Sequence, residues 1–438
     1  SYLQILGELD SAQRQLLDAA TEYREFLNEN MLWMPSAPIA FTGTWALGDY
    51  EQSSALSVTP WLIVLEDLAE SIAANIIPTI LIVLVFAGLI LARKPLSSYT
   101  RSANNRIGNA RTDHIGLTIA ALGAALVRAL PMSFLLAATG WLMSQAPDHE
   151  PFTGHVSASL LALAPFLYNL LVFRVLASRD GVLQVHFGWQ QSNLEIVRKQ
   201  LDRLIAFGAP IVFGLVIFYS SDLSFDRATM GRFLFIALLV VLVLTFRPLA
   251  HPTTGVAANY YRASPVTWIS KLRWFWYSLS VGIPVLLGLL SVLGYMYTSI
   301  MLTSLIVDTI WLALALIGIN LIVLRWVALS RAKLAVRVMQ EEREKQSEPP
   351  PEGDAPTVEH KPIDVEEVDT QTRKLLRWGL IIVAAIAGWG IWSEVFPAFR
   401  LFDQVALWTR AVVVDGVETI APVTLADLLF ALLVAAGT

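Results

Sequence analysis

Six histidines are the residues best suited to chemistry in this chain, but their spacing does not form a site. They are scattered over loops, with no second histidine four residues on. His149 and His155 share an acidic turn with Asp148 and Glu150; it would bind a cation only weakly, and an ordinary solvated turn is the simpler interpretation. The absence of cysteine excludes thiolate metal sites and thiol nucleophiles. We predict no catalytic, cofactor or metal site, and a protein that is not an enzyme.

Two charged residues, Arg128 and Asp308, fall inside long apolar stretches. A charge deep in a bilayer is costly unless it is paired or wet. One interpretation is that the two residues pair, or that one faces a hydrated crevice that changes during gating. The other is that Arg128 bonds to backbone carbonyls freed by Pro131 and that Asp308 lies near the outer surface. The sequence leaves both interpretations open.

The elements that carry these residues are membrane spans. The chain has 438 residues, of which 55% are hydrophobic and only 15% charged, whereas soluble domains carry about 25% charged residues. Runs of about 20 apolar residues suit the hydrocarbon core of a bilayer. We predict eight spans, at 72–92, 115–143, 156–177, 204–220, 229–246, 274–297, 300–324 and 378–396, and the start of a ninth at Thr424.

The fold class is therefore an all-α polytopic membrane protein. Short connections after the fourth and sixth spans predict that the helices are arranged largely as antiparallel hairpins. Tryptophans at span ends are typical of the aromatic belt at the lipid headgroups, and we interpret four as interface anchors: Trp274, Trp276, Trp378 and Trp392.

The distribution of lysine and arginine predicts the orientation. Every second connection between spans is basic. The first of these begins at Arg93 and the last begins at Arg325, and the other connections are short or acidic. By the positive-inside rule, the basic connections lie in the cytoplasm and the N-terminus lies outside.

Composition divides the chain into five regions. Residues 1–70 predict an amphipathic helix and, after Thr59 as cap and Pro60 as first helical residue, an interfacial helix. Residues 339–370, rich in proline and acidic side chains, predict a disordered cytoplasmic loop. We expect a fragment cut at both ends. The regions are 1–70, 71–338 with seven spans, 339–370, 371–423 with the eighth span and a periplasmic loop, and 424–438.

Four strings carry a resemblance to a known family. They are LNENMLWMPS at 27–36, HFGW at 186–189, IDVEEVDTQTRKLLR at 363–377 and VTLADLL at 423–429. The chain resembles the large bacterial members of the mechanosensitive channel of small conductance (MscS) superfamily, of the MscK or MscM type. The sequence does not distinguish these two types.

The resemblance implies the tension-sensing membrane part of a channel in the bacterial inner membrane. Such a channel opens under osmotic downshock and releases ions and small solutes. Its partners would be membrane lipids, copies of itself in a homoheptamer and permeating ions, but no nucleic acid. The pore helix and cytoplasmic cage would follow Thr438. The alternatives are a secondary transporter with a midplane site near Arg128 and Asp308, or a non-conducting membrane anchor.

Overall fold

The computed structural model of the chain describes residues 2–36, 39, 57–109, 112–145, 150–220, 226–347, 365–393, 395–396, 406–414 and 417–424. Within these ranges the chain is almost entirely helical. The helices are α1 (Tyr2–Asn30), α2 (Val58–Ala74), α3 (Ile76–Asn104), α4 (Ile115–Met143), α5 (Pro151–Leu176), α6 (Val182–Val185), α7 (Gln191–Arg203), α8 (Ala209–Ser220), α9 (Arg232–Ala250), α10 (Ala258–Ala263), α11 (Trp268–Lys271), α12 (Arg273–Val292), α13 (Met296–Ser347) and α14 (Val365–Trp392).

Eight of the described helical stretches are long and apolar enough to cross a membrane. They correspond one for one to the predicted spans, and the all-α polytopic fold class is confirmed. The sixth span was predicted to end at residue 297. Instead α12 ends at Val292, and Gly294 turns the chain with a φ of 101°. Glycine adopts this left-handed conformation without a steric penalty, so the turn forms here.

Two compact units divide the chain. The smaller comprises residues 1–40, 290–316 and 379–438, and the larger comprises 41–289 and 317–378.

Helices α4 and α5 pack closely within the larger unit. A Cβ atom on Gly140 of α4 would lie 3.0 Å from both Leu160 Cβ and the backbone oxygen of Ser157 on α5. The Ser157 hydroxyl donates to the Gly140 carbonyl at 2.8 Å. Membrane helices associate through small residues and hydrogen bonds of this kind, because lipid tails provide no hydrophobic driving force between helices.

Helix α2 is attached to the beginning of α5. The Asp67 carboxylate accepts hydrogen bonds from the Thr153 hydroxyl and, at 3.4 Å, from the Glu150 backbone N–H. A carboxylate is favoured at the positive end of a helix dipole. The helix begins at Val58 with Ser57 as its N-cap residue, so the predicted cap at Thr59 is wrong by two residues. Pro60 lies in the first turn, where the absence of its N–H costs nothing.

The first span, α3, differs sharply from α4 and α5. None of the residues in its most apolar stretch is buried by the rest of the described chain, whereas 33% of that stretch in α4 and 44% in α5 are buried. Its apolar side chains are therefore available to lipid or to another chain.

Helix α13 extends beyond its predicted end. It continues to Ser347, and α14 begins at Val365, so both ends of the predicted disordered loop 339–370 are helical. The charged residues of 339–347 continue the helical register because Glu, Lys, Arg and Gln are good helix formers. Residues 348–364 lie outside the described residues, and the predicted disorder there stays a prediction.

A β-hairpin follows the eighth span, where the sequence analysis expected only a loop. Strands β1 (Ala406–Val414) and β2 (Val417–Thr424) pair antiparallel, with Val414 opposite Val417. Their β-branched residues suit a pleated strand. Thr424 ends β2, and the rest of the predicted ninth span lies outside the described residues.

The smaller unit holds the end of α1 against the beginning of α13. Leu32, Leu305 and Val395 form its buried apolar cluster. The Thr298 hydroxyl donates to the Leu32 carbonyl, and the Ser36 backbone N–H donates to the Gly294 carbonyl at 3.0 Å.

Candidate functional site

The larger unit contains a largely buried guanidinium group, that of Arg325 on α13. The Arg325 side chain is 12% exposed and that of its ion-pair partner Asp113 is 5% exposed. Nη2 donates to both Asp113 carboxylate oxygens at 3.1 Å, and Nε donates to Thr118 Oγ1 at 2.7 Å. Nη1 donates to the backbone carbonyl of His186. Each nitrogen thus has an acceptor, which offsets the loss of hydration around a buried charge.

His186 completes this cluster. Its Nδ1 lies 3.1 Å from Thr118 Oγ1. The pKa of His186 is lowered to about 4, first by burial and then by the nearby Arg325 charge, while Asp113 partly opposes both effects. The imidazole is therefore neutral near pH 7. Since Arg325 Nε must be the donor to Thr118, the Thr118 hydroxyl is free to donate to an unprotonated Nδ1, and this network assigns the histidine tautomer.

We call Arg325, Asp113, Thr118 and His186 the Arg325 clamp. It joins the end of the seventh span to the turn before α4, to α4 itself and to the turn after α6. The Asp113 carboxylate also accepts from the Gly108 backbone N–H at 3.0 Å. A movement of α13 must therefore either carry these segments with it or leave a buried charge without its partners.

Arg128 occupies a different environment. It lies on α4 and is half-buried, and its backbone carbonyl accepts from Arg93 Nε on α3 at 3.2 Å. The apolar run of α3 ends at Ala92, next to Arg93, so Arg128 is level with the border between the apolar and polar parts of α3 rather than with the middle of its apolar run. Its side chain lines a cavity of about 280 Å³ together with Arg101, Arg179 and Arg198.

Asp308, the other predicted intramembrane charge, lies on α13 in the smaller unit. Its side chain is exposed within the described chain. The next residue, Thr309, accepts a hydrogen bond from the Trp392 indole nitrogen at 3.0 Å and donates to the Leu305 carbonyl at 2.7 Å. The structure thus places Asp308 and Arg128 in separate units, and a role for either in gating stays a prediction.

The four predicted tryptophan anchors lie in unlike surroundings. Trp274 and Trp378 are 53% and 64% exposed. Trp276 is half-buried and stacks edge-on against Trp268, with ring centroids 5.6 Å apart. Trp392 packs beside the apolar cluster of the smaller unit and donates to Thr309. Anchoring at the membrane interface stays a prediction for all four.

The sequence analysis did not identify the Arg325 clamp. Arg325 was one arginine among many in a basic connection, and Asp113 was not singled out. The HFGW string at 186–189 was the available signal, because it begins with the histidine of the clamp. Of the acidic turn that was interpreted as an ordinary solvated turn, Asp148 and His149 lie outside the described residues.

Comparison with known proteins gives matches along nearly the whole chain. The family model described as "Mechanosensitive ion channel inner membrane domain 1" matches residues 76–408. The miniconductance mechanosensitive channel MscM of Escherichia coli (strain K12) is 23% identical over 451 aligned residues, which cover 98% of this chain and 40% of that protein. The mechanosensitive channel MscK of the same organism is 25% identical over 352 residues, which cover 80% of this chain and 30% of that protein. The chain thus spans less than half the length of either relative.

Proposed function

The chain belongs to the mechanosensitive ion channel inner membrane domain 1 family, and from this premise we propose that it is the tension-sensing membrane part of an ion channel. The observation that carries the proposal is the extent of the family match, which spans residues 76–408 and so includes every helix able to cross a membrane in the described chain. The relatives are channels rather than enzymes. A transporter or a simple membrane anchor gains no support from them.

The exposure of the spans supports tension sensing. Tension favours the state that occupies more membrane area, and it shifts an equilibrium only through the difference between the two states. Helix α3 presents an unburied apolar stretch, while α4 and α5 are packed together. A change in tilt of α3 would alter the area of the protein in the membrane without disrupting that packed pair.

The Arg325 clamp supplies a connection between such a movement and the later spans. It ties α13 to α4, and α4 lies beside α3 through the hydrogen bond from Arg93 to Arg128. Tilt of α3 and displacement of α13 are therefore coupled through α4 in this proposal.

The proposed setting is the bacterial inner membrane, with the N-terminus in the periplasm and the basic connections in the cytoplasm. The alternation of lysine and arginine supports this orientation. Exposed serines on α1 and at the end of α3, Ser11 and Ser102, provide the test as single cysteines in a chain that has none. An impermeant thiol reagent applied from the periplasmic side should label Ser11→Cys only. Labelling of Ser102→Cys alone would reverse the orientation.

The proposed assembly is a homoheptamer that releases ions and small solutes under osmotic downshock. The test uses the protein as it is expressed from its own gene, in cells that lack other mechanosensitive channels. We expect stretch-activated steps in membrane patches and better survival of downshock. We expect no such steps from residues 1–438 alone in liposomes, because the described spans are too uniformly apolar to line an aqueous path. Steps from residues 1–438 alone would place a conducting path within these spans and overturn the sensing role.

A further inference from the structure

The cavity beside Arg128 is a basic site that the proposed channel function does not explain. It has a volume of about 280 Å³, and a water molecule occupies about 30 Å³, so a phosphate group and several waters fit. Four separate segments contribute its charged lining: α3, α4, the turn after α5, and α7. The charged residues are Arg101, Arg128, Arg179, Asp180 and Arg198.

The protein leaves this positive charge largely uncompensated. Asp180 is the one carboxylate in the lining described. Arg179 makes a long ion pair with Glu195, at 3.9 Å, in which the two side chains are 72% and 49% exposed. For Arg101, Arg128 and Arg198 the described residues provide no ion pair within 4.0 Å. Like charges that line one cavity favour an anion that enters from outside.

Neutral hydrogen-bonding groups lie among the arginines. Ser97, Thr100 and Asn104 of α3 also line the cavity. The Asn104 amide donates to the Asp180 carbonyl at 2.9 Å, which fixes its position and leaves a second N–H. A wider depression of about 890 Å³ shares Ser97, Arg101 and Asn104 and adds Lys94. The anion therefore has an open route into the cavity and room for a larger polar group attached to it.

The position of the cavity next to the apolar part of α3 favours a lipid over a soluble anion as its ligand. On the side of the cavity that faces away from the α3–α4 turn, Leu91 lies two residues before Arg93 and Met132 lies four residues after Arg128, and these side chains are 75% and 52% exposed. A phosphodiester in the cavity would thus be accompanied by exposed apolar surface for acyl chains. Basic pockets between membrane helices bind acidic lipid headgroups in this way.

We propose that this cavity binds the phosphate of an anionic lipid headgroup. Arg128 and Arg101 hold the phosphate oxygens from α4 and α3, and Arg179 and Arg198 close the site from the other side. A bound lipid would therefore hold α3, α4 and α7 together in one conformation of the membrane domain. The binding test is made on the chain itself, so its outcome does not depend on whether the chain forms part of a channel.

Lipid binding to the purified chain in a neutral detergent is the measurement, by native mass spectrometry. Phosphatidylglycerol and phosphatidylcholine with the same acyl chains are the probes. We expect the chain to bind phosphatidylglycerol more tightly, and Arg128→Gln to weaken that binding about tenfold, the usual effect of losing one charge-assisted hydrogen bond. Phosphatidylcholine binding should not change. Arg179→Gln, in an exposed turn, is the second variant should Arg128→Gln unfold the protein.

Arg273→Gln is the matched control, because it removes the same charge from an exposed position at the start of α12. An equal loss in this control would show attraction to surface charge in general and overturn the proposal. Equal affinity for the two lipids would overturn it as well. Displacement of the lipid by millimolar inorganic phosphate would identify the ligand as a soluble anion instead of a lipid.

Discussion

Two arginines of the larger unit show opposite ways of placing a guanidinium group near a membrane. Arg325 is largely buried, and each of its nitrogens donates to an acceptor within the chain. Arg128 is half-buried among three other arginines. A charge with all its partners inside the protein fixes the segments that supply them. A charge among like charges leaves room for a partner from outside, so the same residue type serves structure in one place and binding in the other.

The largest expected effect comes from removing the Arg325 charge. Arg325→Gln leaves Asp113 buried without its cation, and we expect a loss of about 3–5 kcal/mol in stability. Thermal unfolding in detergent is the measurement. Arg128→Gln is the comparison, and it should change stability by less than about 1 kcal/mol. If the two variants were equally unstable, Arg128 would also be a structural residue and the contrast would be lost.

Neutralising both members of the buried pair should cost less than removing one. The double change Arg325→Met with Asp113→Leu leaves no unpaired charge, and such replacements are often nearly neutral. If the double variant were as unstable as Arg325→Gln, the hydrogen bonds to Thr118 and His186, rather than the ion pair, would hold the clamp.

The pH dependence of stability is expected to report on the clamp and not on the Arg128 cavity. In the unfolded chain His186 binds a proton near its ordinary pKa of 6.5, but in the folded chain only near about 4. The unfolded state therefore binds more protons between these values, and the contribution is complete above pH 6.5 and lost as the pH falls towards 4. It amounts to about 3 kcal/mol.

The His186→Asn variant separates the contribution of His186 to the pH dependence of stability from that of the titrating carboxylates. His186→Asn keeps an acceptor for Thr118 but has no proton to gain, so its stability should fall less steeply over the same range. Arg128→Gln should retain the steep slope of the unmodified chain. An unchanged slope in His186→Asn would show that His186 is not the titrating group.

A smaller effect is expected where α4, which carries Arg128 and Thr118, packs against α5. Gly140→Ala places a Cβ 3.0 Å from Leu160 Cβ and from the Ser157 backbone oxygen, and we expect it to destabilise the chain by about 1–2 kcal/mol. Gly123→Ala on the same helix is the matched control, because its Cβ would meet nothing within 4 Å. That control should be neutral or stabilising by up to about 1 kcal/mol. Equal thermal stability of the two variants would mean that α4 and α5 separate easily.

The smallest effect is expected at the edge of the cavity. Glu195→Gln removes an exposed ion pair with Arg179 and should change stability by less than about 0.5 kcal/mol. Asp113→Asn makes the same change of charge and shape inside the clamp and should be far more destabilising. Glu195→Gln should bind phosphatidylglycerol at least as tightly as the unmodified chain, since Arg179 loses a competing carboxylate. Weaker binding would count against the cavity as an anion site.

The sequence by itself determined the number and order of the membrane spans. Crossing a bilayer requires about 20 apolar residues in succession, and that requirement is local, so it can be read along the chain. The β-hairpin was missed although its strands are rich in valine, because the signal of a short two-stranded ribbon is weak. The extension of α13 to Ser347 was missed because an acidic, proline-containing segment was judged by its average composition.

Only the tertiary structure decided which charges find partners. Arg325 and Asp113 are 212 residues apart in the chain, and Arg325 and Thr118 are 207 apart. Nothing periodic or local relates such positions. Arg128 shows the same limit, because its place near the centre of one apolar span suggested bilayer depth, whereas the neighbouring helix α3 has already become polar at that level. The environment of a charge depends on the helices beside it, and their relative heights are fixed by packing rather than by the sequence of any one span.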